Sequence, residues 1–265
     1  MHLQLPDRGI PVVGVHVWSS QARIRNVIVS GVFGNRAHEG PAKEGFGILI
    51  NNGSGSRFDG GHLVEGCRVH MAFRDGENYS TGIFVGSVLQ AGVTMYYSTV
   101  RSCSVGIDTG AVGHAAYAAN AMTRILDSEA HHVVRAFFCD TGPVECVEID
   151  GMRAHDIDWA VDMRVAIAGQ HRRHFAVRNS RFFFRPRPQG MSQAMLLADE
   201  TGNPATEICA VELSDCTFVA PSQREASKGR CRGKVDRIAE RRCRWIGDWR
   251  DPVLQEGAVP WEVVA

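Results

Sequence analysis

The stretch FAVRNSRF, residues 175–182, decides the fold, because alternating apolar residues run into an Asn-Ser turn and emerge as a second short strand. The same arrangement recurs in VELSDCTF, residues 211–218, and in five earlier stretches: NVIVSGVF (26–33), LVEGCRV (63–69), TMYYSTV (94–100), RILDSEA (124–130) and VEIDGMRA (147–154). The turns are expected at Ser30, Gly66, Ser98, Asp127, Asp150, Asn179 and Ser214. Repeated strand–turn units of unequal spacing predict a solenoid, in which each unit buries its apolar face against its neighbours.

A second apolar run lies between successive turns. The runs are GFGILINNG (45–53), TGIFVGS (81–87), VGIDTG (105–110), RAFFCDTG (135–142), WAVDMR (159–164) and QAMLLADETG (193–202). They are rich in Val, Ile, Leu and Phe, they are bounded by turn residues, and no helical period crosses them. Each repeat therefore holds at least two short strands.

Across residues 10 to 220 this pattern resembles the pectin-lyase-like superfamily, in stretches such as VRNSRF and LSDCTF followed by TGIFVG or VGIDTG. The resemblance implies an all-β fold, a right-handed single-stranded parallel β-helix of about seven coils. It also implies a polysaccharide substrate, an extracytoplasmic or secreted location although the chain shows no signal peptide, and a monomer or homotrimer. Members of the superfamily include polysaccharide lyases, glycoside hydrolases, tailspikes and adhesins.

The C-terminal segment differs from the repeats. We expect a β-helix domain over residues 1–221 and a basic capping segment over residues 222–265, since residues 222–250 hold ten Lys or Arg against four acids. Val235, Ile238, Trp245, Ile246 and Trp249 have spacings that predict a helix covering the last coil. An anionic-partner site is the alternative interpretation of this basic segment.

Asp-Thr-Gly occurs at residues 108–110 and again at 140–142. Two such motifs resemble the paired catalytic loops of aspartic proteases, but the 32 residues between them cannot build the lobe that each loop would need. We therefore expect Asp108 and Asp140 to be equivalent positions of adjacent coils, stacked at about the 4.8 Å spacing of neighbouring strands.

Stacked carboxylates predict chemistry on sugars. Asp108, Asp140 and Asp162 could supply the acid and the base or nucleophile of glycoside hydrolysis. In a lyase, a cation or Ca²⁺ would neutralise a uronate before a base such as Arg164 removes the α-proton. Substrate contacts are expected from His114, Tyr117, His171, Arg172, Arg173 and His174, the last four forming a polar loop. Turn stabilisation is the competing interpretation of the aspartates.

Composition limits the remaining possibilities. Lys plus Arg equals Asp plus Glu at 29 each, so no global field indicates nucleic acid or an anionic membrane as partner. No metal-ligand spacing stands out, and Ca²⁺ is the one ion that the lyase interpretation would add. The prediction is a β-helix enzyme that cleaves an acidic polysaccharide by elimination or hydrolysis. The alternative is a non-catalytic glycan-binding, structural or tailspike-like β-helix.

Overall fold

The computed structural model describes residues 1–5, 11–19, 21–34, 44–51, 58–72, 80–86, 94–106, 112–119, 122–139, 145–165, 171–187, 190–199, 207–222, 224–232, 235–254 and 261–264. These residues form an all-β structure of parallel stacked strands and contain no helix. Consequently, no helix within the described ranges could cross a membrane.

Three parallel sheets, which we call S1, S2 and S3, contain nearly all of the strands. S1 has nine strands: His2–Gln4, Ile28–Val32, Arg68–Met71, Ser104–Gly106, Glu129–His131, Arg153–Ile157, Arg181–Phe184, Thr217–Val219 and Arg244–Ile246. S2 has nine strands: Arg23–Arg25, Leu63–Glu65, Ser98–Arg101, Met122–Leu126, Cys146–Asp150, His171–Arg178, Glu207–Ser214, Val235–Arg241 and Trp261–Val264. S3 has ten strands: Val13–Trp18, Gly45–Asn51, Ser80–Gly86, Val112–Ala119, Val133–Cys139, Trp159–Val165, Ser192–Asp199, Ala226–Arg232, Trp249–Arg250 and Val253–Leu254. A separate parallel pair joins Phe58–Gly60 to Thr94–Tyr96. Through the repeats, the chain passes from S2 to S1 to S3 and back to S2.

The passage from S2 to S1, which we call the S2–S1 corner, takes two residues, and the first of them has its φ in the left-handed region. The residues with positive φ at this corner are Asn26, Gly66, Ser102, Asp127, Gly151, Asn179, Asp215 and Arg242. Each of the first seven donates its backbone N–H to a carbonyl of the next repeat, as Asn179 does to Ser214 at 3.1 Å. The turns predicted at Gly66, Asp127 and Asn179 are confirmed, and those at Asp150 and Ser214 lie one residue early. The predicted Ser30 and Ser98 lie inside strands.

The core lies between the three sheets and is built from in-register rows. One row in S1 runs Val29, Val69, Val105, Ala130, Ala154, Phe182, Phe218 and Trp245. At its C-terminal end the rings are parallel, with centroids 5.3 Å apart for Phe182 and Phe218 and 4.2 Å apart for Phe218 and Trp245. Burial of such rows against both neighbours is what holds a solenoid together.

The predicted C-terminal helix is wrong. Val235–Arg241 joins S2 and Arg244–Ile246 joins S1. Ile238 aligns with Val211, and Trp245 with Phe218, so the apolar residues that suggested a helix face find buried partners in the preceding repeat. An open sheet edge offers hydrogen bonds along the whole strand, which favours continued pairing over a helix. The final strand, Trp261–Val264, extends S2 further.

Candidate functional site

Two in-register rows of residues run along S3. One row runs Leu49, Phe84, Tyr117, Phe138, Asp162, Leu196 and Arg230, and the other runs Phe46, Thr81, His114, Arg135, Trp159, Gln193 and Ser227. Phe84 and Phe138 pack together outside the main core, whereas Val161 and Met163 lie within it. Ala160 also lies in the core, so Trp159 and Asp162 both face away from it although they are three residues apart, because the strand departs from strict alternation between them.

Asp162 is the centre of a compact ion-pair network on this face. Arg164 donates from Nε and Nη2 to the two carboxylate oxygens of Asp162 at 2.8 and 3.0 Å, and Arg135 donates from Nε to Oδ2. The Asp162 side chain is 0% exposed, against 15% for Arg135 and 24% for Arg164. Both oxygens are therefore occupied, and the carboxylate holds two guanidinium groups in fixed orientations.

A second carboxylate continues the network around an indole ring. Asp158 accepts two hydrogen bonds from Arg185, at 2.7 and 2.9 Å, and its Oδ2 lies 3.7 Å from Nε of Arg187. The Cζ atoms of Arg135 and Arg187 lie 4.1 and 5.5 Å from the ring centroid of Trp159. We call Arg135, Arg164, Arg185 and Arg187 with Asp158, Asp162 and Trp159 the S3 arginine cluster, which has a net charge of +2.

Two polar atoms at this cluster have no hydrogen-bond partner among the described residues. They are Nε1 of Trp159, a donor, and Oε1 of Gln193, an acceptor, and both are buried. Trp159 and Gln193 are aligned on neighbouring S3 strands. A buried polar group without a partner costs stability, and such groups are concentrated where a ligand or water completes the bonding.

The predicted aspartate ladder divides between sheets. Asp108 and Asp140 themselves lie outside the described residues. In sequence, Asp108 follows the S1 strand Ser104–Gly106, while Asp140 follows the S3 strand Val133–Cys139, so they are not equivalent positions. The expected groove strand at residues 105–110 is also wrong, since the S3 strand of that repeat is Val112–Ala119. Asp162 lies on S3 as predicted but is fully buried instead of exposed, because two arginines cover it.

The predicted substrate-binding residues also separate. His114 lies within an S3 strand, not in a loop, is 1% exposed and stacks on Phe138 at 4.3 Å between centroids. Tyr117 belongs to the same strand, although its side chain is outside the described set. His171, Arg172, Arg173 and His174 begin the S2 strand His171–Arg178 and pair with Glu207–Ser214. The predicted polar loop is therefore a strand on another sheet from Asp162, because pairing with the next repeat extends its N-terminal end.

Sequence reasoning did not identify Arg135, Asp158, Arg185 or Arg187 as site residues. The sequence does contain one hint of them. The run WAVDMR (159–164) is followed by FFFRPRP (182–188), so aromatic and basic residues occur close together in successive repeats. The register that joins Arg135 to Trp159 depends on the lengths of the connections between strands, which the sequence pattern does not fix.

The described residues contain no group of three or more His, Cys, Asp or Glu side chains placed to hold a metal ion. Comparisons with protein-family models, with curated proteins and with solved structures found no match to this chain. The functional argument therefore depends on the site itself.

Proposed function

We propose that the protein is a carbohydrate-active parallel β-helix that binds an acidic polysaccharide along the outer face of S3. The observation that carries this proposal is the S3 arginine cluster, where four arginines outnumber two aspartates and where an indole N–H and an amide oxygen have no hydrogen-bond partner among the described residues. Guanidinium groups bind carboxylates or sulfates, and the neutral donor and acceptor suit sugar hydroxyls. An acidic sugar offers both kinds of group.

The likeness of the repeat pattern to the pectin-lyase-like superfamily supports a right-handed β-helix for this proposal. On this interpretation each coil contributes one strand to each sheet, so the nine-stranded sheets correspond to about nine coils instead of about seven. The additional coils come from the N-terminal strands and from the basic C-terminal segment. A linear polysaccharide would lie along S3 and contact several coils at once.

Asp158 and Asp162 hold the arginines in this proposal. The Asp162 side chain is 0% exposed and each of its oxygens already accepts a hydrogen bond from a guanidinium group, which disfavours Asp162 as acid or base. A guanidinium group bound to a carboxylate donates hydrogen bonds and is a poor proton acceptor, so we assign Arg164 to binding instead of proton removal. Arg164 and Arg187, 24% and 28% exposed, are the most accessible arginines of the cluster.

Elimination is the second candidate function. The observation that favours it is the same excess of fixed guanidinium groups, because a lyase must neutralise the uronate carboxylate before the adjacent C–H proton is removed. The base would take that proton, a C=C bond would form, and the glycosidic oxygen would leave.

The test uses Trp159→Phe, which removes the indole N–H and keeps an aromatic ring. Calorimetric titration should give binding of polygalacturonate and not of neutral dextran, with the affinity for polygalacturonate about fivefold lower in Trp159→Phe, the value of one hydrogen bond. The control is Trp18→Phe, an exposed indole on the same sheet (58%), which should bind as the parent protein does. Equal affinity for dextran, or no binding to either polymer, would refute the proposal.

Cleavage is read from the same samples, with and without Ca²⁺. New ultraviolet absorbance from unsaturated ends would establish elimination, while reducing ends without that absorbance would indicate hydrolysis and argue against the lyase candidate. Binding without either signal would leave recognition as the function.

A further inference from the structure

The S2–S1 corner carries a second basic surface, separate from S3. Two depressions flank Arg242, the corner residue of the last described turn. The first, about 690 Å³, is lined by Asn179, Arg181, Asp215, Thr217, Arg242 and Arg244, and the second, about 260 Å³, includes Arg178, Glu212, Arg237 and Arg241. Together we call them the corner groove. Its six arginines and two acids give a net charge of +4 in a chain whose formal net charge is zero.

The arginines of the corner groove are only partly neutralised. Arg242 binds both oxygens of Asp215, at 2.7 and 2.6 Å, and Arg178 lies 3.9 Å from Glu212. Arg181 and Arg244 are exposed and have no ion-pair partner among the described residues. Their positions align across Thr217, so they are two strands, or roughly 10 Å, apart along the stacking direction. Uncompensated guanidinium groups repeated along one direction are suited to a linear polyanion.

The lining favours a polysaccharide over a nucleic acid. Neither depression has an aromatic side chain among its described lining residues, so nucleobases would find no stacking surface. Asn179 and Thr217 offer neutral hydrogen-bonding groups beside the arginines, which suits hydroxyl groups next to charged ones. From these observations we propose that the corner groove is a binding surface for a polyanionic polysaccharide, bearing carboxylate or sulfate groups, that contacts Arg181 and Arg244.

This site does not depend on the function proposed for S3. The corner groove is formed by strands of S1 and S2 and by the turns between them. The S3 arginine cluster is formed by residues of S3 together with Arg185 and Arg187. A variant of one surface leaves the other intact, so failure of either proposal can be recognised separately. The two surfaces could engage one long polymer or two different ones.

The experiment compares Arg181→Glu/Arg244→Glu with Arg68→Glu, an exposed arginine of the same outer row of S1 several strands away. Binding of fluorescently labelled polygalacturonate, dextran sulfate, heparin and single-stranded DNA is measured in the Trp159→Phe background. We expect the double variant to weaken binding of at least one polysaccharide by about tenfold or more, since two charges are reversed, and Arg68→Glu to change it less than about twofold. Unchanged thermal unfolding would verify that each variant folds.

The carboxylate polymer and the sulfate polymer distinguish the two sources of anionic groups, and preference for either one supports the proposal. Three results would overturn it: DNA binding tighter than every polysaccharide, an equal loss in Arg68→Glu, or no binding of any polymer by the parent protein at low salt.

Discussion

The S3 arginine cluster and the corner groove use the same side chain in opposite settings. On S3, Arg135 and Arg164 are 15% and 24% exposed and share the buried Asp162, whereas at the corner Arg242 is 64% exposed beside the 37% exposed Asp215. A buried carboxylate fixes guanidinium groups that would otherwise be costly to bury, while an exposed one competes with external anions. We therefore expect the buried carboxylate to hold its arginines in place and the exposed one to give way to a bound anion.

The difference between the two regions should have its largest effect on stability, which we compare in the variants Asp162→Asn and Asp215→Asn. Loss of the Asp162 charge removes the buried carboxylate that Arg135 and Arg164 share, so the free energy of unfolding should fall by about 3 kcal/mol. Asp215→Asn should change it far less, because water already solvates that pair. Urea unfolding followed by circular dichroism measures both. Equal losses in the two variants would show that burial does not separate the two regions.

Much of the fold is readable from sequence because left-handed corners select residues. Gly66, Asp127 and Asn179 are residue types that tolerate positive φ, and their recurrence predicts the stack of turns. Arg242 also has positive φ, but arginine is not a residue type that favours this conformation, so the sequence does not indicate the last corner. The spacing of the apolar residues around Arg242 fits a helix as well as a strand. The pairing of Trp245 with Phe218 in S1 shows that this segment is a strand.

The S3 arginine cluster is harder to predict from sequence than the fold, because it depends on how neighbouring S3 strands are aligned. The WAVDMR run predicts an S3 strand with Asp162 and Arg164 on its polar side, and this is where they lie. The burial of Asp162 depends on Arg135, which comes from the preceding S3 strand. Connections of unequal length separate these strands, so the pairing cannot be derived from residue spacing alone.

Ionic strength should separate the two surfaces next. At about 0.5 M salt the screening length is only a few ångströms, so exposed corner arginines should lose most of their attraction, while enclosed S3 arginines lose less. Raising the salt concentration from about 0.05 M should weaken polyanion binding about tenfold through the corner groove and a few-fold through S3.

The variants isolate each salt response. Arg181→Glu/Arg244→Glu leaves S3 as the remaining surface, and Trp159→Phe weakens S3 while leaving the corner groove. Titration of heparin and polygalacturonate over a salt series gives the two slopes. If the slopes were the same, enclosure of the S3 arginines would have no effect on binding.

A smaller effect is expected at Gln193. Its Oε1 is a buried acceptor without a partner among the described residues, so Gln193→Met should raise the free energy of unfolding by about 1 kcal/mol. The same change should lower polygalacturonate affinity about fivefold if that oxygen binds a sugar hydroxyl. Ser80→Ala is the control, since Ser80 Oγ on S3 is also buried and has no partner in the part of the chain that the structure describes, but lies several strands away. That variant should gain stability and bind normally; a loss of stability in Gln193→Met would contradict this interpretation.

The smallest predicted effect is a change in polyanion affinity that has opposite signs at the two sites. Asp215→Asn removes a carboxylate that occupies Arg242, so heparin affinity should rise about twofold, whereas Asp162→Asn should weaken polygalacturonate binding by releasing Arg164 from its fixed orientation.

Arg242 holds the pKa of Asp215 below its usual value. A depressed carboxyl pKa contributes stability above the unfolded-state pKa and loses it only as the pH falls through the folded-state value. Between about pH 5 and pH 8 the carboxylate therefore stays charged, and the gain in Asp215→Asn should be constant over that range. Heparin titrations at both ends of the range measure it, and weaker binding in Asp215→Asn would mean that this ion pair positions Arg242 for the ligand instead of competing with it.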